Sequence, residues 1–351
     1  MIKRRVSKQI EIGNVKIGGN SLISVQSMLN SDTRDVKTTV AQIKELETAG
    51  CEIVRLAVLN ADAADALSEI KKKTSVPLVA DIHFDYRLAI KAIESGIDAL
   101  RLNPGNIGNI ENVQKVVKLA KINKTPIRIG VNGGSLDKKL ENEDIPLYEK
   151  MVKSALGHVK ILEDNDFDLI KISLKSSDVL TTIRAYEKIA TLVDYPLHLG
   201  VTEAGTLKGG LVKSSVGLGA LLSQGIGDTI RVSLTENPVE EVYAGFEILK
   251  SLNLREKGVK FVSCPTCGRT QIDLISLAKK VEKRFENYDK NITIAVMGCP
   301  VNGPGEAKHA DFGIAGAIGE GYIFRKGEII KKVSEENLLS EFEKIVKEYS
   351  S

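Results

Sequence analysis

The chain has 351 residues, more than one ordinary core needs, and its 49 basic and 46 acidic side chains leave a formal net charge of only +3. That balance, with no Trp and 5% aromatic residues, argues against a basic nucleic-acid face or a base-stacking platform. No apolar run is long enough to span a bilayer, and the basic residues 1–9 are not followed by the apolar core of a leader peptide, so a cytoplasmic protein is expected. Four cysteines in such a compartment point to metal or catalytic chemistry rather than to disulfides.

The spacing of apolar residues predicts an opening hairpin over 10–19, around Gly13-Asn14, and then a regular beat. Strands are expected over 22–26, 53–57, 78–82, 99–102, 127–131, 169–174, 197–201 and 229–233. Amphipathic helices are expected over 36–49, 62–73, 87–95, 110–123, 147–165, 178–193, 208–224 and 238–252. Several of these helices end before a glycine, at Gly50, Gly96 and Gly225, as a left-handed C-cap requires. Eight strand–helix units are the number that closes a TIM (β/α)8 barrel. The alternative, a doubly wound open sheet, usually carries a glycine-rich phosphate loop after its first strand; here that strand runs into Gln26-Ser27-Met28. The polar stretch 255–258 reads as a linker, which divides the chain into a barrel over 1–255 and a smaller α+β domain over 256–351. Within the second domain strands are expected over 260–263, 292–297, 312–315, 322–325 and 328–330, with helices over 271–285 and 335–348.

Active sites of β/α barrels form at the carboxyl ends of the strands. Reading those ends in order yields Arg55, then Asp81 and His83, then Arg101 and Asn103, then Arg128 and Asn132, then Ser173 and Lys175, then Thr202 and Glu203, then Arg231 and Ser233. Five cations, Arg55, Arg101, Arg128, Lys175 and Arg231, thus recur one per unit, each interrupting or following an apolar run. Buried cations need a partner. A phosphate or diphosphate suits the set, because guanidinium forks make bidentate, charge-assisted bonds to it. Structural salt bridges in the barrel mouth account for one such cation at a time but poorly for five at equivalent positions. His158, His198 and His309 lack this context and are expected to be structural or exposed.

The second domain carries Cys264-Pro-Thr-Cys267 and, later, Cys299 in a run rich in glycine and proline. A CxxC pair alone fits half a zinc ribbon, a redox dithiol or an iron–sulfur site. No second CxxC follows, and a redox dithiol leaves Cys299 unused. Three thiolates fall one short of the usual set for a 4Fe-4S cluster. Water, a substrate atom or a side chain can complete it, and Glu306, seven residues after Cys299, is the candidate side chain. Cys51 sits at a helix-to-strand junction and reads as a small core residue.

The stretches CPTCGR, MGCPVNGPGEA, RLNPGNIG, DIHF and HLGVTEAG together resemble the 4-hydroxy-3-methylbut-2-en-1-yl diphosphate synthases, iron–sulfur enzymes of non-mevalonate isoprenoid biosynthesis, in their short bacterial form. The resemblance covers nearly the whole chain. It implies a TIM barrel followed by a cluster domain similar to that of sulfite and nitrite reductases. It implies one 4Fe-4S cluster per chain on Cys264, Cys267, Cys299 and Glu306. The implied substrate is 2-C-methyl-D-erythritol 2,4-cyclodiphosphate, opened and dehydroxylated with two electrons from reduced flavodoxin or ferredoxin. By matching motif positions, Arg55, Arg101, Asn103, Arg128, Asn132, Lys175, Arg231 and Ser233 would bind the substrate. Asp81, His83 and Glu203 would act at the reacting end, with Glu203 as the proton donor. The resemblance also implies a homodimer in which the cluster domain of one chain caps the barrel of the other, with no nucleic acid and no membrane involved.

Overall fold

The computed structural model describes residues 2–350 except Asp137, Asn287 and 301–306. The chain divides into two compact units, Met1–Arg255 and Glu256–Ser351. No helix among the described residues is long and apolar enough to cross a membrane.

The first unit opens with the hairpin β1 (Ile10–Ile12) and β2 (Val15–Ile17). Eight strand–helix pairs follow. They are β3 (Ser24–Met28) and α1 (Val36–Thr48), β4 (Ile53–Ala57) and α2 (Ala61–Lys72), β5 (Leu78–Asp81) and α3 (Tyr86–Glu94), and β6 (Ala99–Arg101) and α4 (Ile110–Ile122). Then come β7 (Ile127–Asn132), the short α5 (Lys138–Glu141) and α6 (Leu147–Glu163), β8 (Ile170–Lys175) and α7 (Val179–Ala190), β9 (His198–Leu199) and α8 (Leu207–Ser223), and β10 (Thr229–Ile230) and α9 (Pro238–Ser251). All eight strands pair in parallel, in the order β8-β7-β6-β5-β4-β3-β10-β9. A parallel bridge between Ile172 and Leu197 joins β8 to the segment entering β9 and closes the ring. The TIM barrel is therefore the architecture, and the open doubly wound sheet is excluded.

Local chemistry explains where the strands hand over to helices. Asp35, Asn60, Asn109 and Asp178 each cap a helix by accepting a hydrogen bond from the backbone three residues on. The C-caps anticipated at Gly50, Gly96 and Gly225 have φ of +88°, +81° and +79°. The first barrel strand begins two residues later than expected, because Leu22 is exposed and Ser24 is the first residue in the ladder. The ladders at β9 and β10 are only two residues long, where five were expected. Beyond them the chain leaves regular pairing at the mouth.

The amino-terminal end of the barrel is plugged. Ile10, Ile12 and Ile17 of the hairpin pack against Ile53, Val79 and Ala99, which point inwards from the starts of β4, β5 and β6. The larger core lies between the barrel wall and its helices.

The second unit is a five-stranded sheet of order β11-β12-β13-β14-β15. Strands β11 (Lys260–Ser263), β12 (Thr293–Met297) and β13 (Phe312–Ala317) are parallel, and β14 (Glu320–Arg325) and β15 (Glu328–Ser334) are antiparallel. Helices α10 (Leu274–Phe285) and α11 (Leu338–Ser350) bring Val281, Phe285, Phe342 and Val346 against Ile294, Ile314 and Ile323. Helix α10 starts three residues later than the apolar pattern suggested, since Asp273 is its N-cap and accepts from the Ser276 amide.

Gly225 illustrates how tightly the barrel's last turns are closed. A Cβ at this position would lie 2.1 Å from the Lys3 carbonyl oxygen. Gly225→Ala combines that clash with a left-handed backbone and should cost about 1–3 kcal/mol. A thermal midpoint unchanged from the parent would show that the amino-terminal segment yields freely.

Candidate active site

Alternation along a strand sends every second side chain into the barrel. On β7 these are Arg128, Gly130 and Asn132, and on β8 Lys171, Ser173 and Lys175. From β4, β5 and β6 come Arg55, Asp81 and Arg101, with His83 just beyond β5. Arg231 and Ser233 follow β10, and Thr202 follows β9. All of these except Gly130 and Lys171 line one cavity of about 170 Å³. The five cations expected at equivalent strand positions therefore share one space.

Asp81 is the carboxylate inside it. Its oxygens lie 3.4 Å from Arg101 Nη1, 3.8 Å from Arg55 Nε and 3.6 Å from His83 Nε2. Burial alone would raise its pKa, but Arg55, the His83 contact, Arg101 and Arg128 outweigh burial and hold the carboxyl well below the usual carboxylate range. Glu241, buried on α9, stands behind the wall and binds Arg231 with both oxygens, Oε2 at 3.1 Å from Nε and Oε1 at 3.0 Å from Nη2. Ser27 Oγ and the Leu234 amide also donate to Glu241. Five cations against the two carboxylates Asp81 and Glu241 leave the cavity three charges positive.

Arg55, Arg128 and Lys175 are held in place without a full counter-charge. Arg55 donates to the Met28 thioether from Nε at 3.1 Å. Burial, opposed by Asp81 and reinforced by Arg231 and Arg101, pushes Arg55 down to about 10. Burial, with like charges beside it, also pushes Arg128 and Lys175 well below their ordinary values. Lys175 has no ion pair among the described residues, and Arg128 Nε and Nη1 are buried without a hydrogen-bond partner. Missing side chains make room for these groups. A Cβ on Gly130 would lie 2.6 Å from Arg101 Nε, and one on Gly200 2.6 Å from Lys175 Nζ.

Three expected site residues stand differently from the rest. The Asn103 carboxamide is engaged by one neighbour, accepting from the Gly130 amide at 2.8 Å and donating to the Gly130 carbonyl at 3.0 Å, and it does not line the cavity. Glu203 follows Thr202 on an exposed loop with φ +52° and is also absent from the cavity lining. His83 is half-exposed at the rim, with both ring nitrogens 3.2 Å from Arg101 Nη1. The sequence reading missed Met28, Lys171 and Glu241. Glu241 had a signal: an acid on the inner face of an otherwise apolar helix.

In the second unit the two cysteine loops leave the carboxyl ends of the neighbouring parallel strands β11 and β12. They are tied together: the Gly298 amide donates to Cys264 Sγ at 3.2 Å, and the Gln271 amide donates to the Gly298 carbonyl at 2.9 Å. The backbone amide of Arg269, then its side chain, lower the pKa of the exposed Cys267 thiol. Cys299 is buried. Among the described residues no three metal-binding side chains form one group, and Glu306 lies outside those residues. The donor chemistry still suits soft iron: three free cysteines on two tethered loops, with amide N–H groups turned to sulfur. Cys51 is separate from them. Burial pushes its thiol up to about 12, and it donates to the Ile53 carbonyl at 3.1 Å, as an inert core residue does.

Asp81 predicts a pH signature. Its folded pKa lies below the unfolded value, so its contribution is present above about pH 4 and is lost as pH falls through the folded value. Asp81→Asn should therefore cost about 3 kcal/mol or more at neutral pH, by leaving two buried guanidinium groups uncompensated. The difference from wild type should shrink on acidification; a gap independent of pH would show that Asp81 is not charged in the folded chain.

Comparison with known proteins places the chain. Residues 7–246 match the GcpE TIM-barrel domain and residues 260–348 the GcpE protein C-terminal domain. A protein of Geobacter sulfurreducens is 58% identical over 347 residues, covering 97% of this chain and 98% of its own. One from Clostridium acetobutylicum is 60% identical over 341 residues, with 97% and 98% covered. Both are named 4-hydroxy-3-methylbut-2-en-1-yl diphosphate synthase (flavodoxin). Among solved structures, the dihydropteroate synthases of Stenotrophomonas maltophilia and Yersinia pestis superpose with TM-scores of 0.54 and 0.52 at 12% and 11% identity. Each covers 70% of this chain, and 97% and 98% of its own respectively, a likeness of fold alone. With both of its units matched and relatives of this identity along almost its full length, the chain belongs to the GcpE family.

Proposed function

We propose that this chain is a flavodoxin-dependent 4-hydroxy-3-methylbut-2-en-1-yl diphosphate synthase. It converts 2-C-methyl-D-erythritol 2,4-cyclodiphosphate to 4-hydroxy-3-methylbut-2-en-1-yl diphosphate. The observation that carries the reading is the cavity with five cations and two carboxylates, which only a polyanion balances. The reaction consumes two electrons and two protons, breaks the ring C–O bond to phosphate and releases one hydroxyl as water.

In this reading Arg55, Arg101, Arg128, Lys175 and Arg231 hold the diphosphate. Asn132, Ser173, Thr202 and Ser233 add neutral hydrogen bonds around it. Asp81 stays ionised and fixes Arg55, Arg101 and His83 at the reacting end. His83, at the rim, is placed to pass protons between solvent and the cavity. Glu203 remains the proposed donor to the leaving hydroxyl, acting from the exposed loop beside Thr202. Asn103 acts indirectly, by locking Gly130 and so the seat of Arg101. Cys264, Cys267 and Cys299, with Glu306 as fourth ligand, hold one 4Fe-4S cluster per chain. A cluster held there would supply one-electron transfer to the substrate. The flavodoxin in the relatives' names is the corresponding electron source here. The active assembly is a homodimer in which the cluster unit of one chain caps the barrel of its partner.

Three experiments test this. Anaerobically purified protein should turn over the cyclic diphosphate with reduced flavodoxin. Each Arg–phosphate contact contributes about 1.5–3 kcal/mol, so Arg55→Ala and Arg128→Ala should weaken substrate binding roughly tenfold to a hundredfold. Unchanged affinity in both variants would make the cation ring structural. The dimer is tested by mixing Arg55→Ala with Cys264→Ser under conditions where subunits exchange, at a substrate concentration too low for Arg55→Ala to turn over. Activity should return in the mixture, since a mixed dimer keeps one intact barrel facing one intact cluster unit; a mixture that stays inactive would put both halves of the site in the same chain.

A further inference from the structure

Below the cavity, deeper in the barrel, lies a second group of polar side chains that the proposed reaction does not use. Lys171 is two inward positions below Lys175 on β8 and is 1% exposed. Its register partner across the β7–β8 ladder is Arg128, 2% exposed. His198, on the next strand, is fully buried, with Nδ1 2.8 Å from Thr229 Oγ1. Lys171 Nζ, His198 Nε2, and Arg128 Nε and Nη1 all lack a hydrogen-bond partner among the described residues, and so does the carboxamide of buried Gln26 on β3.

The two carboxylates that act on this group, Asp81 on Arg128 and Asp228 on Lys171, are each shared with other cations or donors. Burial, then Arg128, push Lys171 well below its ordinary value, and Asp228, the acid that opposes them, already has its oxygens occupied by Arg4 and Ser7, each at 2.9 Å, and by the Leu197 amide at 2.9 Å. Asp81 is committed to Arg55 and Arg101 at the mouth. Across the barrel the floor is apolar, with Ile53, Val79 and Ala99 under the hairpin. Buried polar groups are satisfied in more than about 90% of cases, and unpaired buried cations are costlier still. A guanidinium does not shed its proton to escape that cost.

We propose that Lys171, Arg128 and His198 form an inner site for one small monovalent anion of the halide class, beneath the diphosphate and sharing only Arg128 with it. The donors are N–H groups on three adjacent strands, and the surroundings are closed to solvent. That combination favours a small, cheaply dehydrated ion over phosphate. It also places a negative charge under Arg128, fixing the guanidinium that forms the floor of the mouth.

The test uses the full chain with its cluster, with pyrophosphate saturating the mouth. Thermal midpoints are compared in chloride and in gluconate at constant ionic strength, and crystals grown in bromide are examined for anomalous scattering. The expected results are a higher midpoint in chloride and a bromide peak within hydrogen-bonding distance of Lys171 Nζ and Arg128. Lys171→Met should lose the chloride effect while keeping the stabilisation by pyrophosphate. Arg55→Ala should do the reverse, so a failure of the diphosphate reading shows in the pyrophosphate response alone. A floor holding only water, bromide confined to the mouth, or a chloride effect that survives in Lys171→Met would each overturn the proposal. The anomalous measurement on the wild type stands even if Lys171→Met does not fold.

Discussion

The constraint on which the barrel depends is uncompensated positive charge kept out of water. Arg55, Arg101, Arg128, Lys175 and Arg231 crowd one cavity, where burial and the neighbouring guanidinium groups make Arg55, Arg128 and Lys175 harder to keep charged. Such an arrangement is unfavourable in the free protein, and the scaffold offsets it in specific ways. Glu241 and Asp81 neutralise part of the charge. The Met28 sulfur orients Arg55 without cancelling it. Gly130 and Gly200 leave the volume in which Arg101 and Lys175 lie. An anion entering the cavity would relieve what remains, so the same charge that strains the folded chain would provide binding free energy.

Much of this was legible in the sequence because two periodicities coincide. The eight β/α units show as alternating apolar runs and amphipathic segments, and within the runs a cation at an inward position is conspicuous. That is why Arg128, inside IRIGVN, could be placed from the sequence. Other features left no comparable trace. Whether β9 and β10 would pair over five residues or two depends on how the mouth is packed, which local pattern does not encode. Asn103 looked like a ligand because it ends a strand, yet its side chain completes the backbone of Gly130. Lys171 was overlooked because one lysine within an apolar run looks like many others until Lys175 is seen on the same face.

The second unit rests on a different principle. Its two cysteine loops are brought together by a parallel strand pair and held by hydrogen bonds through Gly298, two of whose backbone atoms serve the opposite loop. The sheet and helices supply rigidity through contacts such as Phe285 against Phe342, with ring centroids 5.7 Å apart. The three cysteines of this unit are confined to the loops, while the strands only aim them.

The hairpin at the barrel's amino-terminal end has a kinetic consequence. Ile10, Ile12 and Ile17 close that end among the described residues, which leaves the mouth as the route for a ligand. Whatever enters by the mouth must leave by it. Opening the ring in the proposed reaction frees one phosphate oxygen and adds a negative charge, so the cation ring would hold the product at least as tightly as the substrate. Product release then becomes the slow exchange, one tightly held anion leaving before the next can enter at a common entrance.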